Sequence, residues 1–458
     1  MGLRITAAVL GAAALAIAGC GSSGGGSGDT IELTITQNAI AGGKNAAAAD
    51  FIQNWVIPKF EAAEKAKGKD VKVKFVPSGV DDEQYKTKLS LDLKSGKGAD
   101  VMDIDSIWAG EFAEAGYIKP LAELAPEADS WDGWKQIPEA VQGMATYNGK
   151  KYALPIGTDG RVLYFNKDLF AKAGLPADWQ PKSWQEILDA GAKLKSAGIP
   201  TPIQINAGTA MGEATSMQGV LPLLAGAGGE VQKDGKWTGA SQPLKDALGL
   251  YQKIYGGSGL GDPKLQQEAK GRDKSFAQFS EGKIGILMEG DYFWRGVVNP
   301  KDGVAKMADR DKVVGFAQIP AMEAGKGIRG QDFVSMSGGA LRTVNPNSAH
   351  PKEAFELAAF TLSPESLKEE TKNGNVRITP RSDVNKDILA GEPLLTYISE
   401  KVLPTTAYRP PVAVYPQVSA ALQEATAEVV SGKTPDQAAA DYQQKLEGLV
   451  GGAGNIAS

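Results

Sequence analysis

Hydrophobic residues in the first quarter of the chain switch between a strand-like and a helix-like spacing. The pattern predicts three β-strands, at residues 31–38, 71–77 and 99–105. Between the first two strands, Phe51 and Trp55 lie four residues apart. Between the last two, Tyr85, Leu89 and Leu93 form one apolar helical face. The order strand–helix–strand–helix–strand predicts an α/β fold with a mainly parallel sheet and helices on both of its faces.

The ends of these strands supply the first candidate binding residues. In open α/β sheets, ligands bind beyond the carboxyl ends of the strands. Asn38 closes the first strand, and Asp105 and Trp108 come at or just after the end of the third. We expect these three residues to border a ligand cleft. Two simpler interpretations stay open, because Asp105 can cap the following helix and Trp108 can be a core residue.

The segment 147–176 joins a hairpin, a strand and a helix. Asn148-Gly149 is typical of a tight hairpin turn, since both residues tolerate positive φ. The apolar run 162–165 predicts a buried strand, and a short helix follows it. Between hairpin and strand stand Asp159 and Arg161, whose charges would be costly inside a fold without a partner. They are further candidates for the cleft.

This segment also carries a family resemblance. The run NGKKYALPIGTDGRVLYFNKDLFAKAGLP resembles a segment of the extracellular solute-binding proteins of sugar ABC transporters, a family that includes maltose-binding protein. The stretches 96–121 and 274–297 are similar to other segments of that family, and the resemblance covers nearly the whole mature chain. It implies a two-lobe, type II periplasmic-binding-protein fold with three interlobe crossings. The expected parts are a signal peptide (1–19), a tether (20–29), a first lobe (30–155 plus 318–372) and a second lobe (156–317 plus 373–450).

The segment EGDYFW contains the second group of candidate residues. Glu289, Asp291, Tyr292 and Trp294 combine planar acceptors with flat apolar faces, which suit the hydroxyls and the C–H faces of a sugar. In the similar family segment, an aromatic residue stacks on the sugar. The resemblance adds further expected cleft residues, although Met211 could be a core residue and an arginine could brace the hinge: Met211, Gln218, Gly338, Gly339, Arg377, Arg409 and Tyr415.

Composition narrows the possible functions. The chain has 458 residues, a net charge of −5, one histidine and one cysteine. One histidine and one cysteine leave no Ser-His-Asp or Cys-His arrangement and no histidine-rich metal site to expect, so we predict neither catalysis of that kind nor a bound metal. The negative net charge argues against nucleic acid, and no phosphate-binding glycine motif occurs. We expect no cofactor.

The N-terminus predicts export. Arg4, an apolar core and small residues give the layout of a secretory signal peptide. The end of that stretch, LAIAGC, resembles a bacterial lipoprotein box, in which Cys20 becomes the lipid-modified first residue. The Gly/Ser run that follows is a flexible tether. We therefore expect a lipid-anchored protein on the outer face of the cytoplasmic membrane, although an ordinary signal peptide with a chance cysteine is the alternative.

The predicted function is binding and not catalysis. A monomer would capture a di- or oligosaccharide between its lobes, close by a hinge and deliver it to the transmembrane subunits of an ABC permease. A secreted glycosidase is the alternative from another class. It would need two opposed carboxylates about 5–9.5 Å apart, for which Asp105, Asp159, Glu289 and Asp291 are available. The same fold with a polyamine or a glycerophosphodiester as ligand is a further alternative.

Overall fold

The structure is a computed structural model that describes residues 30–457, except 44, 81, 302 and 373–375. The expected signal peptide, the lipid-anchor residue Cys20 and the Gly/Ser tether therefore lie outside the described residues. Among the helices that are described, none has both the length and the apolar character needed to cross a bilayer.

The first lobe is built around a mainly parallel sheet. Over the described residues its spatial order is Val71–Pro77, Ile31–Gln37, Val101–Asp105, Ala340–Val344 and Leu154–Pro155. The three N-terminal strands run parallel, as predicted, and Ala340–Val344 returns antiparallel to the third of them. The helices that accompany this sheet in the chain are Ala46–Phe51, Ile57–Ala66, Asp82–Lys94, Ala109–Glu114, Leu121–Leu124, Glu139–Gly143, Pro351–Phe360 and Pro364–Lys372.

The parallel pairing fixes where the strand ends lie. Gln37 pairs with Pro77 at the ends of the first two strands, and Asp105 ends the third. Loops that follow parallel strands leave from the same edge of the sheet, so these residues start neighbouring loops. This edge is where the sequence predicts a cleft.

A second sheet forms the centre of the second lobe. Its order is Val314–Ala317, Arg161–Asn166, Ile284–Gly290 and Thr201–Gln204. The strand Arg161–Asn166 is buried at every residue and runs antiparallel to both neighbours, which confirms the buried strand predicted at 162–165. The helices between these strands are Lys167–Lys172, Trp184–Ser196, Glu213–Thr215, Leu221–Gly226, Gln242–Tyr255, Gly271–Ser280 and Arg310–Val313.

Smaller elements connect these parts. Asn148 and Gly149 have φ values of 48° and 72°, so the predicted hairpin turn is present between Thr146–Tyr147 and Lys150–Lys151. The remaining strands are Gln232–Lys233 paired with Lys236–Trp237, and Ile319–Pro320 beside Phe333–Ser337 and Thr406–Tyr408. The helices that follow Pro364–Lys372 in the chain are Ser382–Ile388, Pro393–Tyr397, Tyr415–Val430 and Pro435–Leu449. The π-helical turns are Ile52–Val56, Ser216–Val220, Phe293–Val297 and Ile398–Val402.

The second sheet separates two hydrophobic cores because its central strand alternates between them. Val162 and Tyr164 pack in one core, and Leu163 and Phe165 pack in the other. The core that contains Leu163 and Phe165 also includes residues of the C-terminal helices Tyr415–Val430 and Pro435–Leu449. A separate core lies against the first-lobe sheet.

We keep the expected lobe boundaries as a proposal, but we move one of the interlobe crossings. The expected return into the first lobe was at residue 318, but Ile319, Val334 and Met336 pack in the second-lobe core. The chain joins the first-lobe sheet at Ala340–Val344. We therefore propose that this crossing lies at Gly338-Gly339.

Candidate ligand-binding cleft

The first-lobe side of the cleft is a rim of loops at the ends of the parallel strands. Asn38 is buried and joins two of these loops, because its side-chain amide donates to the Val80 carbonyl and its Oδ1 accepts from the Val80 amide. Ile40 and Val80 are both exposed at this rim. Asn38 thus shapes the rim rather than presenting free polar atoms.

Asp105 contacts residues of both lobes, through a hydrogen bond in the first and an ion pair with the second. Its Oδ1 accepts from the Ile107 amide at 3.0 Å, so the helix-cap interpretation holds. The same oxygen lies 3.5 Å from Nη2 of Arg409, whose Nη1 donates to Glu213 in the second lobe. The Asp105 side chain is still 45% exposed, and its Oδ2 makes no hydrogen bond with any described residue. Asp105 therefore caps a helix, pairs with an arginine and keeps one oxygen open.

Tyr415 and Glu213 hold Arg409 in place. The Tyr415 hydroxyl and the Ser419 hydroxyl both donate to Glu213, and Arg409 also donates to the Ser106 hydroxyl at 3.3 Å. Tyr415 itself is fully buried. The structure thus gives Tyr415 a supporting position and not the cleft-lining position predicted for it.

Asp159 and Arg161 form an ion pair at the first crossing. Asp159 Oδ1 accepts from Arg161 Nη1 and, at 2.7 Å, from the amide of Gly338. Arg161 is buried, and its Nε donates to Oε1 of Gln218. The predicted residues Asp159, Arg161, Gln218 and Gly338 are therefore joined in one network between two crossings. Asp159 Oδ2 has no hydrogen-bond partner among the described residues.

Glycines 338 and 339 permit this close approach. A Cβ on Gly339 would lie 2.3 Å from the Gly157 carbonyl oxygen, and one on Gly338 would lie 3.0 Å from Nη2 of Arg409. Since the first contact is with backbone, no side-chain movement could relieve it. The second crossing therefore requires glycine at 339 to pass the first.

The second-lobe side of the cleft follows the strand Ile284–Gly290. Asp291 is buried and pairs with Arg295 at 3.2 Å. Tyr292 is 46% exposed, and its ring lies over Gly296, where a Cβ would come within 2.6 Å of the ring. Glu289 is fully buried in a bidentate pair with Arg272. Tyr292 thus offers an open aromatic face, whereas Glu289 offers none of its oxygens to a ligand.

Two predicted residues are placed away from the open cleft by packing. Trp108 is buried in the first-lobe core beside Tyr85 and Phe112. Trp294 is 1% exposed, and its ring is covered by Arg310, whose guanidinium lies 3.9 Å from the ring centre. We therefore correct the site by removing these two side chains from the residues that face a ligand. Met211 is half-buried, with its methyl group near Gly271, and stays a proposed site residue.

Arg377 braces the hinge. Its Nη1 donates to the Ile156 carbonyl at 2.7 Å, and its Nη2 donates to Glu370. Gly157 leaves space for this contact, because a Cβ there would lie 2.5 Å from Nη1. Arg377 thus joins the third crossing to the first, as the alternative interpretation of this residue anticipated.

An interlobe cavity of about 430 Å³ lies beside these pairs. Residues from both lobes and all crossings line it, including Asp159, Arg295, Gly339, Glu370 and Arg377, together with Gln37, Thr158 and the loop and helix start at Asn45, Ala46, Ala47 and Ala48. Its volume falls in the range typical of small-molecule sites. Sequence reasoning missed Gln37, Thr158, Arg295 and Glu370, since single polar residues in strands, helices and crossings carry no local signal of a binding site.

A second cavity, of about 360 Å³, is mainly apolar. It lies along Thr406–Tyr408 and is lined by Leu221, Leu224, Ile328 and Met336, with Arg409 at one side. Since it holds none of the carboxylates described above, we centre the candidate site on the first cavity.

The carboxyl groups of the cleft titrate differently because their surroundings differ. Partial burial raises the pKa of Asp105 despite the opposing effect of Arg409, and nearby Glu213 and Asp159 raise it further. Burial likewise raises the pKa of Asp291 against the effect of Arg295. Burial also acts to raise the pKa of Asp159, but Arg161 and the Gly338 amide outweigh it and hold that pKa below its ordinary value.

Comparison with known proteins identifies the family. A model of the bacterial extracellular solute-binding protein family matches residues 43–368. A relative in Sinorhizobium fredii, whose name describes a periplasmic-binding protein of an amino-acid ABC transporter, is 27% identical over 380 residues, with 80% of each chain covered.

Solved structures share the fold. An ABC transporter solute-binding protein of Thermotoga lettingae, bound to α-D-tagatose, is 25% identical with a TM-score of 0.66, covering 92% of this chain and 100% of that one. The cyclic α-maltosyl-1,6-maltose-binding protein of Arthrobacter globiformis is 21% identical with a TM-score of 0.73, covering 92% and 99%. The chain therefore belongs to the bacterial extracellular solute-binding proteins and has the two-lobe, type II fold of the maltose-binding-protein class.

Proposed function

We propose that this chain captures a neutral carbohydrate, a di- or oligosaccharide, between its lobes and delivers it to the membrane subunits of an ABC importer. The observation that carries the proposal is the charge pairing around the interlobe cavity. Arg295 and Arg377 line this cavity and Arg161 pairs with its lining residue Asp159, so each of these arginines has an acidic partner within 4 Å. Charge balance of this kind suits a ligand with hydroxyl groups and no net charge.

The open groups fit a sugar. Asp105 and Asp159 each keep one carboxylate oxygen without a partner among the described residues, and charge-assisted hydrogen bonds to hydroxyls are strong. Tyr292 supplies an exposed ring for the apolar C–H face of a sugar. The related Thermotoga lettingae protein binds a sugar, α-D-tagatose.

Charged ligands fit less well. A glycerophosphodiester or the α-carboxylate of an amino acid would need a cation without an acidic partner, and a polyamine would need an excess of open carboxylates. The arginines beside the cavity are already paired. Binding of such ligands would require breaking these ion pairs.

Two of the four carboxylates that the glycosidase alternative could use are inaccessible. Glu289 is 0% exposed with both oxygens bound to Arg272, and Asp291 is 2% exposed and paired with Arg295. Asp105 and Asp159 remain, each held by an arginine. A glycosidase needs one open acid and one open nucleophile or base on opposite sides of a bond. The arrangement favours binding.

Calorimetric titration tests the proposal. The protein starting at Thr30 would be titrated with glucose, tagatose, ribitol, maltose, trehalose, sucrose and maltotriose, and separately with amino acids, a polyamine and a glycerophosphodiester. We expect binding of at least one neutral sugar with no product released. Binding confined to charged solutes would overturn the carbohydrate proposal and keep the fold, and hydrolysis of the sugar would overturn the binding function.

We also propose that Cys20 anchors the protein to the outer face of the cytoplasmic membrane as a monomer. The lipoprotein-like LAIAGC and the Gly/Ser tether support this. The chain with Cys20→Ser should be exported but recovered free of membranes, whereas the unchanged chain should sediment with them. Equal membrane association of both chains would contradict the anchor.

A further inference from the structure

Two side chains of the interlobe cavity differ from their neighbours in having buried polar atoms without partners. Gln37 is the last residue of the first strand, and Thr158 precedes Asp159 in the first crossing. Oε1 of Gln37 and Oγ1 of Thr158 are both buried, and neither makes a hydrogen bond among the residues that the structure describes. Thr158 as a whole is 7% exposed.

The charged side chains around Gln37 and Thr158 have partners for their buried polar atoms. Glu370 and Arg377 bind each other, Arg377 also binds the Ile156 carbonyl, and Asp159 binds Arg161. The cavity wall is thus an ion-pair network in which, apart from Oδ2 of the partly exposed Asp159, the open polar atoms are the buried ones of Gln37 and Thr158. These positions come from different segments of the chain, the end of the first strand and the first interlobe crossing, yet they line the same cavity.

A third open hydroxyl lies next to Thr158. The Tyr408 hydroxyl is buried close to Thr158 and Ser337 but makes no hydrogen bond of acceptable geometry. The Thr158 and Tyr408 hydroxyls therefore do not satisfy each other. A ligand hydroxyl placed at Thr158 could donate to one oxygen and accept from another.

Such atoms are uncommon in folded proteins. A buried polar group without a partner costs free energy, and the large majority of buried side-chain polar atoms have a partner. When they line a cavity, a ligand that supplies the missing hydrogen bonds gains affinity. A ligand that cannot form these hydrogen bonds gains no affinity from them, so the two positions discriminate between ligands.

We propose that Gln37 and Thr158 are specificity-determining residues, which hydrogen bond hydroxyl groups of the ligand at the floor of the interlobe cavity. Gln37 Oε1 can only accept, so it requires a ligand donor, whereas Thr158 can donate or accept. This inference rests on the proposed carbohydrate function and deepens it, because it assigns a hydroxyl-bearing part of the sugar to this end of the cavity.

The test combines stability and affinity in one variant. Thr158→Val keeps the shape of the side chain and removes the hydroxyl. We expect the ligand-free variant to unfold at the same temperature as the unchanged protein or at a higher one, because no hydrogen bond is lost. We expect its affinity for the tightest-binding sugar of the panel to fall at least tenfold in calorimetry. Gln37→Met should lower affinity in the same way.

A matched control separates recognition from structure. Thr343 is also fully buried in the first lobe, but its hydroxyl donates to the Tyr152 carbonyl at 2.7 Å. Thr343→Val should therefore lower the unfolding temperature and leave the affinity of the folded protein for the sugar unchanged. A purely structural role of Thr158 would give the same pattern as this control.

The outcomes distinguish the two proposals. If the unchanged protein binds a sugar and both Thr158→Val and Gln37→Met bind it equally well, this inference is wrong and the proposed function stands. If Thr158→Val lowers the unfolding temperature as Thr343→Val does, the hydroxyl is structural, and the inference is also wrong. If the unchanged protein binds no sugar of the panel, both proposals fall.

Discussion

Tyr292 and Trp294 show how two aromatic residues of one short motif receive different roles. Tyr292 is 46% exposed over Gly296, whereas Trp294 is 1% exposed and donates from Nε1 to Glu392. The strand ends at Gly290 and a π-helical turn begins at Phe293, so neighbouring side chains leave in different directions. Exposure therefore makes Tyr292, and not Trp294, the residue that we propose stacks on the sugar.

Tyr292→Ala should weaken sugar binding about tenfold or more and change stability little, because the ring is half exposed and its proposed role is to stack on the sugar. Calorimetry and thermal unfolding measure the two effects. Trp294→Ala is the matched comparison and should lower the free energy of unfolding by about 3–5 kcal/mol, as expected for a buried tryptophan. Unchanged affinity in Tyr292→Ala would remove that residue from the site.

Asp159 should make stability depend on pH. Its pKa is lower in the folded protein than in the unfolded chain, so its stabilising contribution is present above the unfolded pKa of about 3.9 and is lost as pH falls through the folded value. The difference in unfolding free energy between the unchanged protein and Asp159→Asn should be constant near neutral pH and shrink below about pH 4. Denaturant unfolding at several pH values measures it.

Asp105 provides a control of opposite sign. Its folded pKa is raised, so the folded state binds the proton more tightly than the unfolded chain does. As pH falls from neutral through this raised pKa, the unchanged protein should gain stability relative to Asp105→Asn. Parallel pH profiles for the two variants would contradict the assigned pKa directions.

At the scale of elements, a buried ion pair fixes the strand that returns from the second lobe. Arg342 on Ala340–Val344 lies opposite Asp103 on Val101–Asp105 and binds both of its oxygens, at 2.6 and 2.8 Å. Both residues are buried, and Arg342 also donates to Thr361. We predict that the pair helps to specify which strand neighbours the third parallel strand.

Arg342→Met should lower the free energy of unfolding by about 3–5 kcal/mol, because Asp103 would remain buried without its counter-charge. Denaturant unfolding checks this loss. Arg342→Met combined with Asp103→Leu removes both charges and should recover part of the stability. A single variant as stable as the unchanged protein would show that the strand register does not depend on the pair.

At the scale of the whole molecule, the lobes are joined by crossings that touch each other. Arg377 donates to the Ile156 carbonyl and the Gly338 amide donates to Asp159, so hydrogen bonds join the first crossing to the other two. A ligand that contacts Asp105 in the first lobe and Tyr292 in the second can make both contacts only when the lobes approach. Such a ligand must shift the population towards the closed form.

Saturating sugar should therefore decrease the radius of gyration measured by small-angle X-ray scattering. Tyr292→Ala at the same sugar concentration is the control and should stay closer to the ligand-free value, because it loses a second-lobe contact. A radius of gyration that does not change while calorimetry reports binding would contradict hinge closure.

The sequence by itself determined the local elements and the family. Alternating residues predicted the parallel strands, Asn148-Gly149 predicted its hairpin, and the ordered run around Asp159 predicted the first crossing. These features depend on neighbours in the chain, through backbone conformation and side-chain period. The same local signals singled out EGDYFW but could not rank its aromatic residues.

Only the tertiary structure decided which candidate side chains are open. Trp108 and Trp294 are buried by packing against other elements of the fold, and Arg409 pairs with Asp105 and Glu213, which come much earlier in the chain. Burial and ion pairing depend on which segments the fold brings together, and no local pattern records that. For the same reason Gln37 and Thr158 had no sequence signal, and their open polar atoms are a property of the assembled cavity.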